Sequence, residues 1–170
     1  MSFIHVCALS RIAETAEAIG AKSLVTLINV NTKVERPACI APEDHLFIGM
    51  SDITAHQEGH ILPAETHVLH LLDFARAWTR TAPLLIHCYA GVSRSTAAAF
   101  IAACALKPEQ DEAELAQLIR QRSPTATPNA KLVEIADQIL NREGRMSAAI
   151  TAIGRGADCF EGVPFRVEIV

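Results

Sequence analysis

His87-Cys88-Tyr89-Ala90-Gly91-Val92-Ser93-Arg94-Ser95 is the stretch of this 170-residue chain whose residue types and spacing could do chemistry together. A cysteine six positions before an arginine is weak by itself, since this composition supplies one by chance in about one chain in three. Requiring the His before the cysteine, the Gly three after it and the Ser after the arginine lowers that to about one in thirty thousand. Leu84-Leu85-Ile86 just upstream is a continuous apolar run, typical of a central strand, and a helix is expected from about Arg94 to Leu106, broken at Pro108. A loop between such a strand and helix can curl so that its backbone N–H groups face inward and form an anion nest. The helix adds its free N–H groups and the positive end of its dipole. Gly91 lets the loop take a positive φ or approach a ligand without a Cβ clash. Arg94 offers a planar fork for two oxygens of a tetrahedral dianion. In that positive field a thiol loses its proton, which makes Cys88 the candidate nucleophile. His87 and the hydroxyls of Ser93 and Ser95 can hydrogen-bond and fix the loop. Together with the backbone from Tyr89 to Ser93, these residues read as a phosphate-binding nucleophile.

The elements that must position this loop follow from the hydrophobic pattern. Phe3 to Leu9 reads as a strand, Ser10 as the N-cap of a helix bearing Ile12, Ala16 and Ile19, and Gly20 as its stop. Strands are expected over 23–30 and 45–50, separated by a Pro37- and Pro42-containing loop. A polar loop follows from Ser51 to His60. Pro63 opens a long helix that turns Val68, Leu71, Leu72, Ala75 and Trp78 inward. Beyond the chemical segment, helices are expected at roughly 109–122 and 128–142, the second with Thr127 as cap and Pro128 in its first turn. A helix near 145–154 and a strand-like 165–170 close the chain. Strands alternating with helices imply one α/β domain over 1–170, with a central, mostly parallel sheet flanked by helices, a core of about 23–142 and a C-terminal extension of about 144–170.

His87-Cys88-x5-Arg94-Ser95 resembles the signature loop of the cysteine-dependent protein tyrosine phosphatases, most closely the small dual-specificity type. The likeness runs from about Ser23 to Leu140 and includes Arg122-Ser123-Pro124 to Pro128-Asn129-Ala130, which is similar to the segment before the family's last core helix. It implies a protein tyrosine phosphatase-like fold and two-step phosphomonoester hydrolysis through a phosphocysteine, without metal or other cofactor. Cys88, Arg94 and Ser95 are then catalytic, residues 89–94 bind phosphate, and His87 and Asn129 support the site, Asn129 by contact with it or by capping. The resemblance also asks for an aspartate on a loop before the cysteine, acid for the leaving oxygen and then base for water. Asp52 lies 36 residues before Cys88, directly after a strand, and fits best. Asp44 would emerge at that strand's far end, and Asp73 sits on the polar face of a helix.

Other residues have plainer readings. His56, His60, His67 and His70 are close enough in sequence to raise a metal site, but Gly59 and Pro63 interrupt any shared helix and no HExxH is present. The five cysteines (Cys7, Cys39, Cys88, Cys104, Cys159) form no CxxC, and all but Cys88 read as small hydrophobes, with Cys7 and Cys104 weighed as redox partners. Lys33 and Arg36 form a small basic spot in a loop. A formal charge of −4, 50% hydrophobic and 20% charged residues and a mean hydropathy of +0.23 argue against disorder, a nucleic-acid surface or an electrostatic membrane anchor. No apolar run is long enough for a membrane span, and the opening residues do not read as a leader, so a cytoplasmic location is expected. The expected partners are a phosphorylated protein or a small phosphoester. Inositol phosphates are a second substrate class, although the loop lacks the lysines that would meet extra phosphates. A phosphate-binding pseudoenzyme is the third reading.

Overall fold

The structure, a computed structural model, describes residues 2–169. Five strands form one sheet: β1 (Ser2–Ala8), β2 (Ser23–Ile28), β3 (His45–Gly49), β4 (Leu84–Cys88) and β5 (Phe165–Ile169). Their spatial order is β3-β2-β4-β1-β5. The first four run parallel and β5 pairs antiparallel with β1, so the expected mostly parallel sheet is found. The central position of β4 explains its unbroken apolar sequence: all five of its residues are buried. Val170, expected in the last strand, lies outside the described residues.

One face of the sheet carries α1 (Ile12–Ile19), which covers a small cluster of Cys7, Ile12, Ala16, Leu24, Ile40 and Leu85. The other face carries α2 (Glu65–Ala77), α3 (Arg94–Leu106), α4 (Glu112–Arg122), α5 (Ala130–Ile139) and α6 (Arg145–Ile153), and holds the main core. Helix α3 is buried from Arg94 through Cys104. Its Ala97-Ala98-Ala99 and Ala102-Ala103 let the sheet and neighbouring helices approach it closely on all sides, as a helix without a polar face requires. Beneath α4 and α6, Glu112 accepts a 2.8 Å bond from the buried Arg142, whose Nη2 also reaches the Cys104 carbonyl.

Several local expectations are corrected. Strand β2 stops at Ile28 and α2 begins at Glu65, two residues after Pro63. Ser10 does not cap α1. A 3-10 turn over Leu9–Arg11 intervenes, and the Ser10 hydroxyl donates instead to Glu161 at 2.6 Å. Thr127 does not cap α5; Asn129 does, its Oδ1 accepting from the Leu132 N–H at 3.0 Å, while the Thr127 hydroxyl accepts from Gly156 N–H. In both places a distant partner displaced the local cap. Over residues 145–169, α6 packs on α4 and α5 and β5 extends the sheet beside β1.

Candidate active site

Cys88 ends β4, Arg94 begins α3, and the five residues between them form the loop. What shapes the loop is the direction of its carbonyls. The Cys88 carbonyl accepts from His87 Nδ1 at 3.0 Å, Tyr89 O from Leu9 N at 3.0 Å, and Ala90 O from Gly162 N at 2.8 Å. Val92 O accepts from Thr127 N and the Thr96 hydroxyl, and Ser93 O from Asn129 N and Ala97 N. Because the N–H of a peptide unit points opposite its carbonyl, a ring of outward-bonded carbonyls turns the amides toward the centre. One of them, Gly91 N–H, lies 3.3 Å from Cys88 Sγ, and the Ser95 hydroxyl lies 3.0 Å from the same sulfur. Gly91 has φ +70°, and a Cβ there would sit 2.9 Å from Ala8 N and from the Cys7 carbonyl carbon, so the position admits only glycine.

His87 is fully buried, and its tautomer follows from its partners. Nδ1 faces a carbonyl and must carry the proton, which leaves Nε2 to accept from the Thr26 hydroxyl at 2.7 Å. Thr26 Oγ1 then accepts from His45 Nε2, also at 2.7 Å, so a directed chain runs His45 to Thr26 to His87 to the Cys88 carbonyl. Burial pushes the His87 imidazole down to about 4, with the nearby His45 and Arg94 charges adding to it against the backbone bond to Cys88. The ring is neutral and serves as a fixed strut.

Arg94 is 5% exposed. Its Nη1 donates to Asn29 Oδ1 at 2.7 Å and to the Met50 carbonyl at 2.8 Å, tying it to the chain just after β2 and β3. Its Nε is buried without a partner, an unusual cost for a charged group. Spending Nη1 on the protein leaves the Nε–Nη2 edge, the side-on pair suited to two oxygens of a tetrahedral anion.

Asp52 comes to the same place. Its Oδ1 accepts from the Ser93 hydroxyl at 2.7 Å and from Asn129 Nδ2 at 2.9 Å, and Asn129 Nδ2 also reaches the Ile53 carbonyl at 3.2 Å. Asn129 therefore both caps α5 and holds the segment of Asp52 and Ile53. Asp52, Cys88, Tyr89, Ala90, Val92, Ser93, Arg94 and Cys159 line one cavity of about 260 Å³. Asp44 is elsewhere, in a cavity with Ser23 and Trp78 at the opposite end of β3, and Asp73 is exposed on α2. Among the described residues no group of three His, Cys, Asp or Glu is placed to hold a metal. Of the four clustered histidines, His67 Nδ1 accepts the Ala64 N–H at the start of α2, and His60 Nδ1 lies 3.3 Å from the Ser51 hydroxyl. Burial pushes the thiols of Cys7 and Cys104 up to about 12, which keeps both protonated. Lys33 pairs with Glu35, and Arg36 donates to the Ile40 carbonyl. Nothing in the sequence marks Asn29, Thr26 or Cys159 for the site: Thr26 and Asn29 fall inside the strand expected over 23–30, and Cys159 reads as one more small hydrophobe.

Residues 50–133 match the family model for protein-tyrosine phosphatase. The fold is similar to that of a mouse putative dual specificity phosphatase complexed with zinc tungstate, with a TM-score of 0.61 and 19% identity over 87% of this chain and 86% of that one. It is also similar to human DUSP28, with a TM-score of 0.63 and 16% identity over 82% and 92% of the two chains. The PTP-2 phosphatase of Cydia pomonella gives 0.62 and 19% over 79% and 84%. None of the curated proteins matches the sequence.

Proposed function

Given that the chain belongs to the cysteine-dependent protein tyrosine phosphatase superfamily and carries the fold of its dual-specificity members, we propose that it hydrolyses phosphomonoesters, phosphotyrosine foremost, through a phosphocysteine. The observation that carries this reading is the buried Arg94, its Nε without a partner, lining the same cavity as Cys88 beside a loop most of whose carbonyls are bonded to the surrounding protein. The loop amides and the Nε–Nη2 edge bind the phosphoryl oxygens and the charge that grows on them. Cys88 Sγ attacks phosphorus, the P–O bond to the leaving group breaks, and Asp52 gives that oxygen its proton. With Oδ1 engaged by Ser93 and Asn129, Oδ2 is the oxygen left to carry the proton. In the second step Asp52 takes a proton from water, which attacks the phosphocysteine. Ser95, 3.0 Å from the sulfur, stabilises the departing thiolate. No metal enters either step.

Arg94 is the one cation among the residues lining the cavity, which favours a monophosphate over a multiply phosphorylated inositol. Asp52, tethered by Ser93 and Asn129 in the cavity that Cys88 lines, favours an enzyme over a phosphate-binding pseudoenzyme. A cytoplasmic setting suits the five cysteines, all free. Changing Cys88→Ser should abolish turnover of an aryl phosphate while leaving vanadate binding measurable. Activity of more than a few per cent in that variant would overturn the covalent route.

A further inference from the structure

Between α6 and β5 the chain returns across the loop as a strap of non-helical residues, tied down at both ends. Gly154 O accepts from Arg120 Nη2 at 2.8 Å, Gly156 N donates to Thr127 Oγ1 at 3.0 Å, and Ala157 N donates to Pro124 O at 3.0 Å. At the other end Glu161 accepts from Ser10, and Gly162 N donates to Ala90 O. The strap lies directly on backbone: a Cβ on Gly156 would come within 2.4 Å of the Thr125 carbonyl carbon, and one on Gly162 within 2.9 Å of Gly91 O. Between these ties Phe160 is 91% exposed, although its segment is fixed and its ring covers no core. Tyr89, next to Cys88, is 60% exposed.

These rings border a second cavity of about 180 Å³ lined by Leu9, Ser10, Tyr89, Ala90, Phe160 and Glu161. It shares Tyr89 and Ala90 with the cavity of Cys88, so one wall separates the two. That volume is below the range for a drug-sized ligand and suits a single side chain. A group entering it while a phosphoryl group sits in the nest must be joined to the phosphorylated residue over a short distance, as the neighbouring residue of a peptide is. The rings and Leu9 favour an apolar occupant. The Glu161 carboxylate at the same rim, and Asp52 in the adjoining cavity, oppose an acidic one.

We propose that this slot is a specificity subsite for an aliphatic or aromatic residue flanking the phosphotyrosine of a peptide substrate, with Phe160 and Tyr89 as its contact residues. The proposal rests on the phosphatase reading above. Its test compares phosphotyrosine peptides in which each flanking residue is Ala, Leu, Phe or Asp, against the unaltered protein and Phe160→Ser. Phe160 is so exposed that its replacement leaves the fold intact, and Phe160→Leu checks for rescue. For the unaltered protein, kcat/KM with Leu or Phe at one flank should exceed that with Ala by roughly tenfold, the scale of one small apolar group in a pocket, and Asp should be worst. Phe160→Ser should lose most of that preference, and Phe160→Leu should retain part of it. A preference that is absent, or is unchanged in Phe160→Ser, overturns the subsite. Nitrophenyl phosphate, which has no flank, serves as control: if the unaltered protein fails to turn it over, the phosphatase reading fails instead. In that event the same peptides are ranked by affinity for the Cys88→Ser protein, where an equal ranking with and without Phe160 refutes the slot.

Discussion

Acidification should act on this protein through His87, and the size of the effect can be worked out. The ring is neutral and fully buried, with Nδ1–H on the Cys88 carbonyl and Nε2 facing Thr26, and burial holds its titration at about 4 against 6.5 in an open chain. Between those values the unfolded chain binds the extra proton and the folded chain does not. Stability is therefore complete above pH 6.5 and declines as pH falls through the window towards 4. At 1.36 kcal/mol per pH unit the full window amounts to about 3 kcal/mol, of which about 2 kcal/mol is already gone at pH 5. His45, His5 and His67 are shifted down as well, chiefly by burial, so the total loss on acidification is larger than His87 alone explains. Urea unfolding at pH 7 and pH 5 gives the total, and His87→Asn should remove about 2 kcal/mol of the difference between them. Nitrogen-detected NMR of the ring tests the cause without any substitution. At pH 5.5 it should show a neutral Nδ1–H tautomer. A ring that is charged at that pH, or that carries its proton on Nε2, would refute both the strut and the chain through Thr26.

Arg94→Lys keeps a charge but cannot satisfy Asn29, the Met50 carbonyl and a phosphate edge at once, so kcat/KM on an aryl phosphate should fall by roughly 10²–10⁴, as measured by steady-state kinetics. Asp52→Asn preserves an Oδ1 acceptor for Ser93 and Asn129 and removes only the proton; it should slow phosphotyrosine hydrolysis by roughly 10²–10⁴ and an activated aryl phosphate far less, and equal slowing of both would place the acid elsewhere. Asn129→Ala removes a helix cap worth about 1 kcal/mol and also the tether on Asp52, so its melting temperature should drop by a few degrees while its kcat on phosphotyrosine drops more than on the activated substrate. Gly91→Ala combines a left-handed backbone with a 2.9 Å collision, and should lose vanadate binding in calorimetry together with thermal stability.

The candidate loop is legible because it is local. Cys88, Gly91, Arg94 and Ser95 lie within one turn and one helix start, and strand β4 and helix α3 announce themselves by an apolar run and a buried-helix composition. Asp52 is singled out by the resemblance's need for an acid together with its place after a strand, and Asn129 by the resemblance alone. The braces of the loop were not legible: Leu9, Thr127, Asn129 and Gly162 act through backbone N–H groups, which every non-proline residue has, so no residue type marks them. Ser10 and Thr127 misled for a related reason. A hydroxyl near a helix start usually caps it, but each of these found a partner far along the chain, and a tertiary hydrogen bond displaced the local one. Asn29 and Phe160 carry meaning only once the strands and the strap have brought them beside Arg94 and Tyr89.

The strap has a consequence in time as well as in space. The bond from Ser10 to Glu161 joins residues 151 positions apart, and the Ala90 carbonyl waits for Gly162, which arrives only when β5 docks on β1. Contacts of such sequence separation close slowly, because the loop entropy is lost before the pairing compensates it. A refolding chain should therefore complete β4 and α3, whose partners lie closer in sequence, before the nest around the thiol and the guanidinium is braced. Recovery of catalysis should lag behind recovery of helical signal by the time β5 takes to find its edge.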